Sequence, residues 1–307
     1  MTAPPPQDRT GLWLGVLAMA LFGLTLPMTQ LATGTADAPL WSPSFITGAR
    51  AVVAALLSVV WLVCVRAPWP SAGQWRWLAL AAVGNVLAYP LLLAWALRSQ
   101  TSQHVAVITG LAPLLTSGVA ALLLGQRRAV GFWACALLGC ALVVGYSLWQ
   151  AGGTAGRWGR PSLADAGVAL GVLAASVGYV AGARVTPALG AERTICWVTL
   201  AALPVSLPMA ALQWGQQPPW QTLPLSAWLG LGYVSLFSMW IAFFAWYRAL
   251  ARGDAVRVGQ VQLLQPFFAM FGAWPLLGQP VAPASLAVGL AVMATVALGR
   301  HLSAPAR

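Results

Sequence analysis

Long apolar stretches constrain this chain more than any other feature. Ten of them follow one another along the 307 residues, each about as long as the 20 residues that cross a bilayer. Only 7% of the residues are charged, against roughly 25% in a soluble domain, so little of the surface can be solvated. The sequence therefore predicts an all-α integral membrane protein. Its ten transmembrane helices are expected near residues 12–32, 43–64, 75–97, 104–124, 129–148, 164–183, 194–212, 225–247, 256–277 and 283–300.

The arginines predict the orientation of these helices. All 16 basic residues are arginines, and they are dispersed between apolar stretches rather than clustered as in a nucleic-acid-binding surface. With the N-terminus in the cytoplasm, 12 arginines fall in cytoplasmic segments and 3 in outer loops, which is a strong positive-inside bias. Both termini are therefore expected in the cytoplasm. The cytoplasmic set is Arg9, Arg66, Arg76, Arg127, Arg128, Arg184, Arg193, Arg248, Arg252, Arg257, Arg300 and Arg307.

The sequence also repeats itself at an offset of 153 residues. Residues 96–126 align with 249–279 without a gap, and 10 of these 31 positions are identical. Each half then contains five spans, an odd number, so the two halves are expected to enter the membrane in opposite directions. Such inverted repeats are typical of secondary transporters. We expect an N-terminal disordered tail, a first five-helix repeat, a linker loop, a second five-helix repeat and a C-terminal tail, over residues 1–10, 11–150, 151–163, 164–302 and 303–307.

These features resemble the drug/metabolite transporter superfamily, specifically its EamA-type exporters. The resemblance rests on the five-plus-five arrangement and on a proline 12 residues before a glycine in spans four and nine, at Pro113 and Pro266. It covers residues 11–302 and implies export of amino acids, related metabolites or drugs across a bacterial inner membrane. Family members often carry Glu where this chain has Gln126 and Gln279. If the Glu side chain orients helices or loops in the family, this chain has an uncharged amide in its place.

Polar side chains within the spans are the candidate substrate-binding residues, because polar groups that face hydrocarbon are costly. Gln262 and Gln265 share one helical face, as do Asn85 and Tyr89. Most of the 17 tryptophans fall at span ends, as in aromatic belts, but Trp240 is deep enough to stack on a ligand. The alternative is that these groups only join helices by hydrogen bonds, which is the commoner role of Ser and Thr. The full candidate set is Asn85, Tyr89, Thr109, Tyr179, Ser238, Trp240, Gln262 and Gln265.

Two prolines and one arginine are candidates for helix breaks or gating. Pro113 and Pro266 would free the carbonyls of Thr109 and Gln262, which either line a cavity or bond to a neighbouring helix. Arg50 lies within span two, about 10 Å from its expected outer end. It either extends outward to the interface or faces the cavity and meets a substrate carboxylate.

The middle of every span lacks Asp and Glu. Proton-coupled carriers usually titrate a buried carboxylate or histidine, so the sequence favours facilitated export, or else coupling through a group that the sequence does not reveal. The same absence argues against a membrane enzyme, because metal-dependent transfer needs clustered carboxylates. We expect no metal or other cofactor, since the 4 cysteines lack metal-ligand spacing.

The expected partners are a small-molecule substrate and the lipid bilayer, with no nucleic acid and a monomeric or homodimeric state. Two alternatives remain. One is a non-transporting accessory subunit of a membrane complex, which gives no reason for an inverted repeat. The other is a sugar-phosphate or nucleotide-sugar carrier, which the lack of lysine and of several deep arginines disfavours.

Overall fold

A computed structural model describes residues 9–123, 125, 130–151, 162–252 and 261–302. Gln126, most of both tails, most of the linker loop and the arginines at 127, 128, 157, 160, 257 and 307 lie outside the described residues. Eight of the described helices are long and apolar enough to cross a membrane, and two shorter apolar helices follow them. The expectation of an all-helical protein with ten hydrophobic helices is confirmed.

We number these helices in chain order. They are α1 (Thr10–Thr33), α2 (Pro43–Cys64), α3 (Ala72–Ala96), α4 (Ser102–Leu123), α5 (Val130–Ala151), α6 (Leu163–Leu189), α7 (Ala191–Trp214), α8 (225–252), α9 (Val261–Leu277) and α10 (Pro283–Leu302).

Several helices are irregular in the middle of the membrane-spanning region. α3 contains a π-helical segment at Ala82–Ala88, and α8 contains one at Tyr233–Ile241. α4 is broken between Thr109 and Ala112, and α9 begins with a 3₁₀ turn before Gln265. Proline has no N–H and its ring clashes with the carbonyl four residues earlier, so it is tolerated best in a first helical turn. α1 is also interrupted, at Leu24. Prolines occupy the first helical turn after the irregularities in α1, α3, α4 and α9, at Pro27, Pro90, Pro113 and Pro266.

The irregularities occur at matching positions in the two halves of the chain. The sequence offset of 153 residues carries the π segment of α3 onto residues 235–241, inside the π segment of α8. The same offset carries Ala112, where the second part of α4 begins, onto Gln265, where the α-helical part of α9 begins. The repeated sequence thus produces the same local backbone twice.

Helix pairing follows the same pattern. α2 packs along α7, and α5 packs along α10. α1 contacts α8 and α9, while α6 contacts α3 and α4. These contacts are unchanged when the first five helices exchange places with the last five. Small residues allow the close approaches, as is common between membrane helices; for example, a Cβ on Gly48 of α2 would lie 2.8 Å from the Ser206 carbonyl oxygen of α7.

Candidate functional site

A cavity of about 330 Å³ lies between α3, α4, α6, α8 and α9. Its wall is mostly apolar, with Val172, Ala175 and Val180 on α6 and Trp246 on α8. A volume near 300 Å³ is at the small end of the range for ligand pockets. The cavity therefore suits a small metabolite better than a large multi-ring compound.

Polar groups enter this wall from both halves of the chain. Tyr89, Tyr179, Gln262 and Gln265 all line it. Thr109 also lines it, but its hydroxyl donates to the Ala106 carbonyl at 3.0 Å. The Gln265 amide makes no hydrogen bond to any described residue, which leaves it available to a ligand.

The breaks in α4 and α9 lie directly at this cavity. Thr109, Gly110 and Pro113 of α4 line it, as do Gln262 and Pro266 of α9. Irregular backbone at membrane depth is tolerated where it lines a cavity. The two equivalent breaks thus contribute to the wall of one site.

Seven of the eleven candidate residues from the sequence line the cavity. Four lie outside it: Asn85, Ser238, Trp240 and Arg50. Asn85 packs on α6, where a Cβ on Gly178 would lie 2.8 Å from its Cγ. Trp240 packs with Trp61 and Phe244, at ring-centroid distances of 6.3 and 4.5 Å.

Arg50 and Ser238, which do not line the cavity, are joined by a hydrogen bond. Arg50 is buried, and its Nη2 donates to the Ser238 hydroxyl at 3.0 Å. Thr25 donates to the same hydroxyl at 2.8 Å. Of the two positions expected for Arg50, extension outward to the interface does not occur.

One end of the bundle is closed by hydrogen bonds among four buried or half-buried side chains, which we call the glutamine cluster: Gln30, Ser102, Gln103 and Gln279. Ser102 Oγ and Gln279 Nε2 both donate to Gln30 Oε1, at 2.8 and 3.1 Å. Gln103 Nε2 donates to the Gln279 carbonyl at 3.0 Å. The cluster ties α1 and α4 to the loop between α9 and α10.

The cluster also explains what Gln279 does in place of an acid. Its Oε1 accepts from the Ser102 N–H at the start of α4 (3.2 Å), as a carboxylate could. Its Nε2 donates to Gln30, which a carboxylate could not do. Gln279 therefore orients two helix ends without a charge.

A buried histidine and aspartate lie beside the cluster. His104 Nε2 is 2.7 Å from Asp165 Oδ1, which joins the first turns of α4 and α6. The His104 ring stacks on Tyr146, with 5.2 Å between ring centroids. The sequence does not predict this pair, because 61 positions separate the two residues.

The glutamine cluster was also missed by sequence reasoning. The available signal was the run of three polar residues Ser102, Gln103 and His104 at the start of an otherwise apolar span. All three are at most 4% exposed, whereas a solvated helix end would expose them.

At the opposite end of the bundle, the described side chains include five arginines, which we call the arginine face: Arg66, Arg76, Arg184, Arg193 and Arg248. Arg184 lies over the Trp77 ring at 4.8 Å, and Arg248 pairs with Glu192. The cavity extends toward this face, since Ala183 and Trp246 line it, and no residue of the glutamine cluster does. Among the described residues, no group of three or more His, Cys, Asp or Glu side chains could hold a metal ion.

Comparisons with known proteins agree with this architecture. The EamA-like transporter family model matches the chain twice, at residues 9–148 and 162–299. The chain is 36% identical over 298 residues to the uncharacterized transporter YdeK of Bacillus subtilis, covering 97% of this chain and 99% of YdeK. It is 25% identical over 268 residues to the uncharacterized transporter sll0355 of Synechocystis sp., covering 81% and 80% of the two chains.

A solved crystal structure shares the fold, with a TM-score of 0.59 at 21% identity over 95% of this chain and 97% of the other. The family is one of transporters and not of enzymes, and it implies both a transported substrate and a lipid bilayer. The two named relatives are bacterial. Two matches to one family model, on the two halves of a ten-helix bundle, identify this chain as a multi-pass membrane transporter of the EamA-like transporter family.

Proposed function

We propose that this protein exports small metabolites, such as amino acids or related compounds, across a bacterial inner membrane by alternating access. The observation that carries the proposal is a cavity walled by both halves of the chain, which extends toward the arginine face while the glutamine cluster closes the other end. A cavity closed at one end only is what one state of an alternating-access cycle requires.

Contacts between helix ends support the proposal that residues 11–150 and 164–302 form two inverted five-helix repeats. The last turn of α1 carries Gln30, which bonds to Ser102 in the first turn of α4. The first turn of α6 carries Asp165, which bonds to His104 of the same α4 turn. The end of α1 and the start of α6 therefore share one side of the bundle, so these equivalent helices run in opposite directions.

The arginine face supports the proposed orientation. Basic residues concentrate on the cytoplasmic side of membrane proteins. With the arginine face in the cytoplasm, both termini are cytoplasmic and the cavity is accessible from the inside. This is the state in which an exporter loads its substrate.

The composition of the cavity wall supports facilitated export, because the wall contains neither carboxylate nor histidine among the described residues. His104 and Asp165 favour a second candidate, proton-linked export, because proton-coupled carriers commonly use buried carboxylates and histidines and these two form a buried pair. The pair lies at the closed end of the bundle rather than in the cavity wall. We therefore keep facilitated export as the proposal and test proton coupling directly.

The cavity also bears on the other candidates. A cavity of about 330 Å³ is small for a nucleotide sugar, and among the described residues no arginine lines it to hold a doubly charged phosphate. The accessory-subunit alternative does not explain why two equivalent helix breaks line one cavity. Small amino-acid-like solutes remain the best match.

The test is flux from liposomes that contain purified protein, measured with a set of radiolabelled amino acids. We expect Gln265→Ala to lower flux roughly three- to tenfold, because it removes an amide that can bond to the substrate. Gln216→Ala is the matched control, since Gln216 is exposed beyond the end of α7. Flux should not require an imposed pH gradient.

Two results would count against this proposal at different levels. Accumulation driven by a pH gradient would replace facilitated export with proton-linked export. The absence of flux for every solute, with correctly folded protein, would favour the accessory-subunit alternative.

A further inference from the structure

Arg50 is a buried cation with no counter-charge among the residues that the structure describes. It lies in the first half of α2 and is 4% exposed. Its Nη2 donates to the neutral hydroxyl of Ser238, while its Nε has no hydrogen-bond partner in the described part of the chain. Burying a charge is costly unless it is paired, so this position needs an explanation.

The described carboxylates do not supply the missing charge. Asp165 pairs with His104, and Glu192 pairs with Arg248 at the arginine face. Asp37 is exposed in the loop that follows α1. Within the described part of the chain, the Arg50 guanidinium therefore has no anionic partner.

Two tyrosines line the cavity on elements that pack near Arg50. Tyr89 of α3 and Tyr179 of α6 both line the cavity wall. The part of α3 that begins at Tyr89 packs on α2, and Tyr179 packs against the buried cluster that contains Ala51, the residue after Arg50. A phenol hydroxyl can donate one hydrogen bond to an anion.

We propose that the cavity binds a substrate carboxylate at the Tyr89 and Tyr179 hydroxyls, with Arg50 as the counter-charge. This inference rests on the proposed function and narrows it to substrates that carry a carboxylate, whether zwitterionic or anionic. The bound carboxylate provides the negative charge that Arg50 lacks among the described residues. The positive charge of Arg50 disfavours the binding of amphipathic cations, because like charges repel in a poorly solvated site.

The experiment compares each amino acid with its own carboxamide, which keeps the side chain and amine but removes the negative charge. All twenty proteinogenic amino acids are tested for binding by thermal stabilisation of the purified protein, and for flux in liposomes. Tetraphenylphosphonium serves as the amphipathic cation. We expect at least one amino acid to bind roughly tenfold or more tightly than its amide, and tetraphenylphosphonium to bind weakly.

Variants separate a role in recognition from a role in folding. Arg50→Gln should remove the preference of acid over amide, whereas Arg50→Lys should keep part of it. The double variant Tyr89→Phe with Tyr179→Phe leaves Arg50 in place and should also reduce the preference, so the test stands if Arg50→Gln does not fold. Arg184→Gln removes a positive charge at the arginine face and should leave the preference unchanged.

The inference is overturned if no amino acid is preferred over its amide, or if the preference survives both Arg50→Gln and the double tyrosine variant. Stronger binding of tetraphenylphosphonium than of any carboxylate would overturn it as well. Flux of amides or cations without this preference would leave the transport function standing. Absence of all flux would instead remove the transport function.

Discussion

At the scale of single residues, Gly48 shows how closely two helices of this bundle approach. A Cβ at this position would lie 2.8 Å from both the Ser206 carbonyl oxygen and the Ala210 amide nitrogen of α7. Both atoms are backbone and cannot move without shifting the helix. The α2–α7 pair therefore depends on the absence of a side chain here.

Gly48→Ala is expected to destabilise the protein by about 1–2 kcal/mol, because the clash outweighs the better helix propensity of alanine. The measurement is the thermal unfolding midpoint of detergent-purified protein. Gly145→Ala is the matched control, since no atom lies within 4 Å of a Cβ built there, and it should not lower the midpoint. Equal midpoints for the two variants would mean that α2 and α7 separate easily.

Single polar residues were predictable from the sequence only where helical spacing alone sets their direction. Tyr89, Gln262 and Gln265 were found because a carboxamide or phenol inside an apolar span must face the interior. Asn85 followed the same rule but packs on Gly178, since interior positions include helix contacts as well as cavity. The His104–Asp165 pair needs the packing of α4 on α6, which a single sequence does not reveal.

At the scale of elements, Pro266 keeps α9 from continuing as a regular helix into the cavity wall. A residue with an N–H at this position could donate to the carbonyl of Gln262, four residues earlier. The 3₁₀ turn at Val261–Leu264 would then become part of one α-helix. That change would redirect Gln262, which lines the cavity.

We expect Pro266→Ala to lower substrate flux by roughly tenfold, equivalent to about 1.4 kcal/mol, while the unfolding midpoint stays equal or rises. Both quantities are measured on the same preparation. Pro204→Ala is the control, because Pro204 lies on the exposed side of α7, and its flux should match the unchanged protein. Normal flux in Pro266→Ala would show that the break in α9 does not serve transport.

Elements were the most predictable level of this structure. Hydrophobic length predicted all ten apolar helices, eight of which are long enough to cross a membrane, because a bilayer requires about 20 apolar residues. The π segments of α3 and α8 were not predicted, since their composition matches that of the neighbouring regular turns. The prolines at 113 and 266 gave the position of two breaks because proline removes a specific hydrogen bond.

At the scale of the whole molecule, the two ends of the bundle differ. The glutamine cluster joins α1 and α4 to the α9–α10 loop by several hydrogen bonds, and the cavity extends from the middle toward the arginine face. Each bond in the cluster is individually weak, with a net worth of about 1 kcal/mol. A cluster of this kind can close one end and still separate during a cycle.

Joining the cluster covalently should therefore stop transport. We expect this for Gln30→Cys with Gln279→Cys, in a background where Cys64, Cys135, Cys140 and Cys196 are replaced by alanine. A short bis-methanethiosulfonate reagent should reduce flux to that of empty liposomes, because the cavity could no longer open at this end. Reduction of the link should restore flux, and each single-cysteine variant should be insensitive to the reagent. If the linked protein transported at its full rate, the end of the bundle that holds Gln30 and Gln279 would not open during transport, and substrate would have to leave by another path.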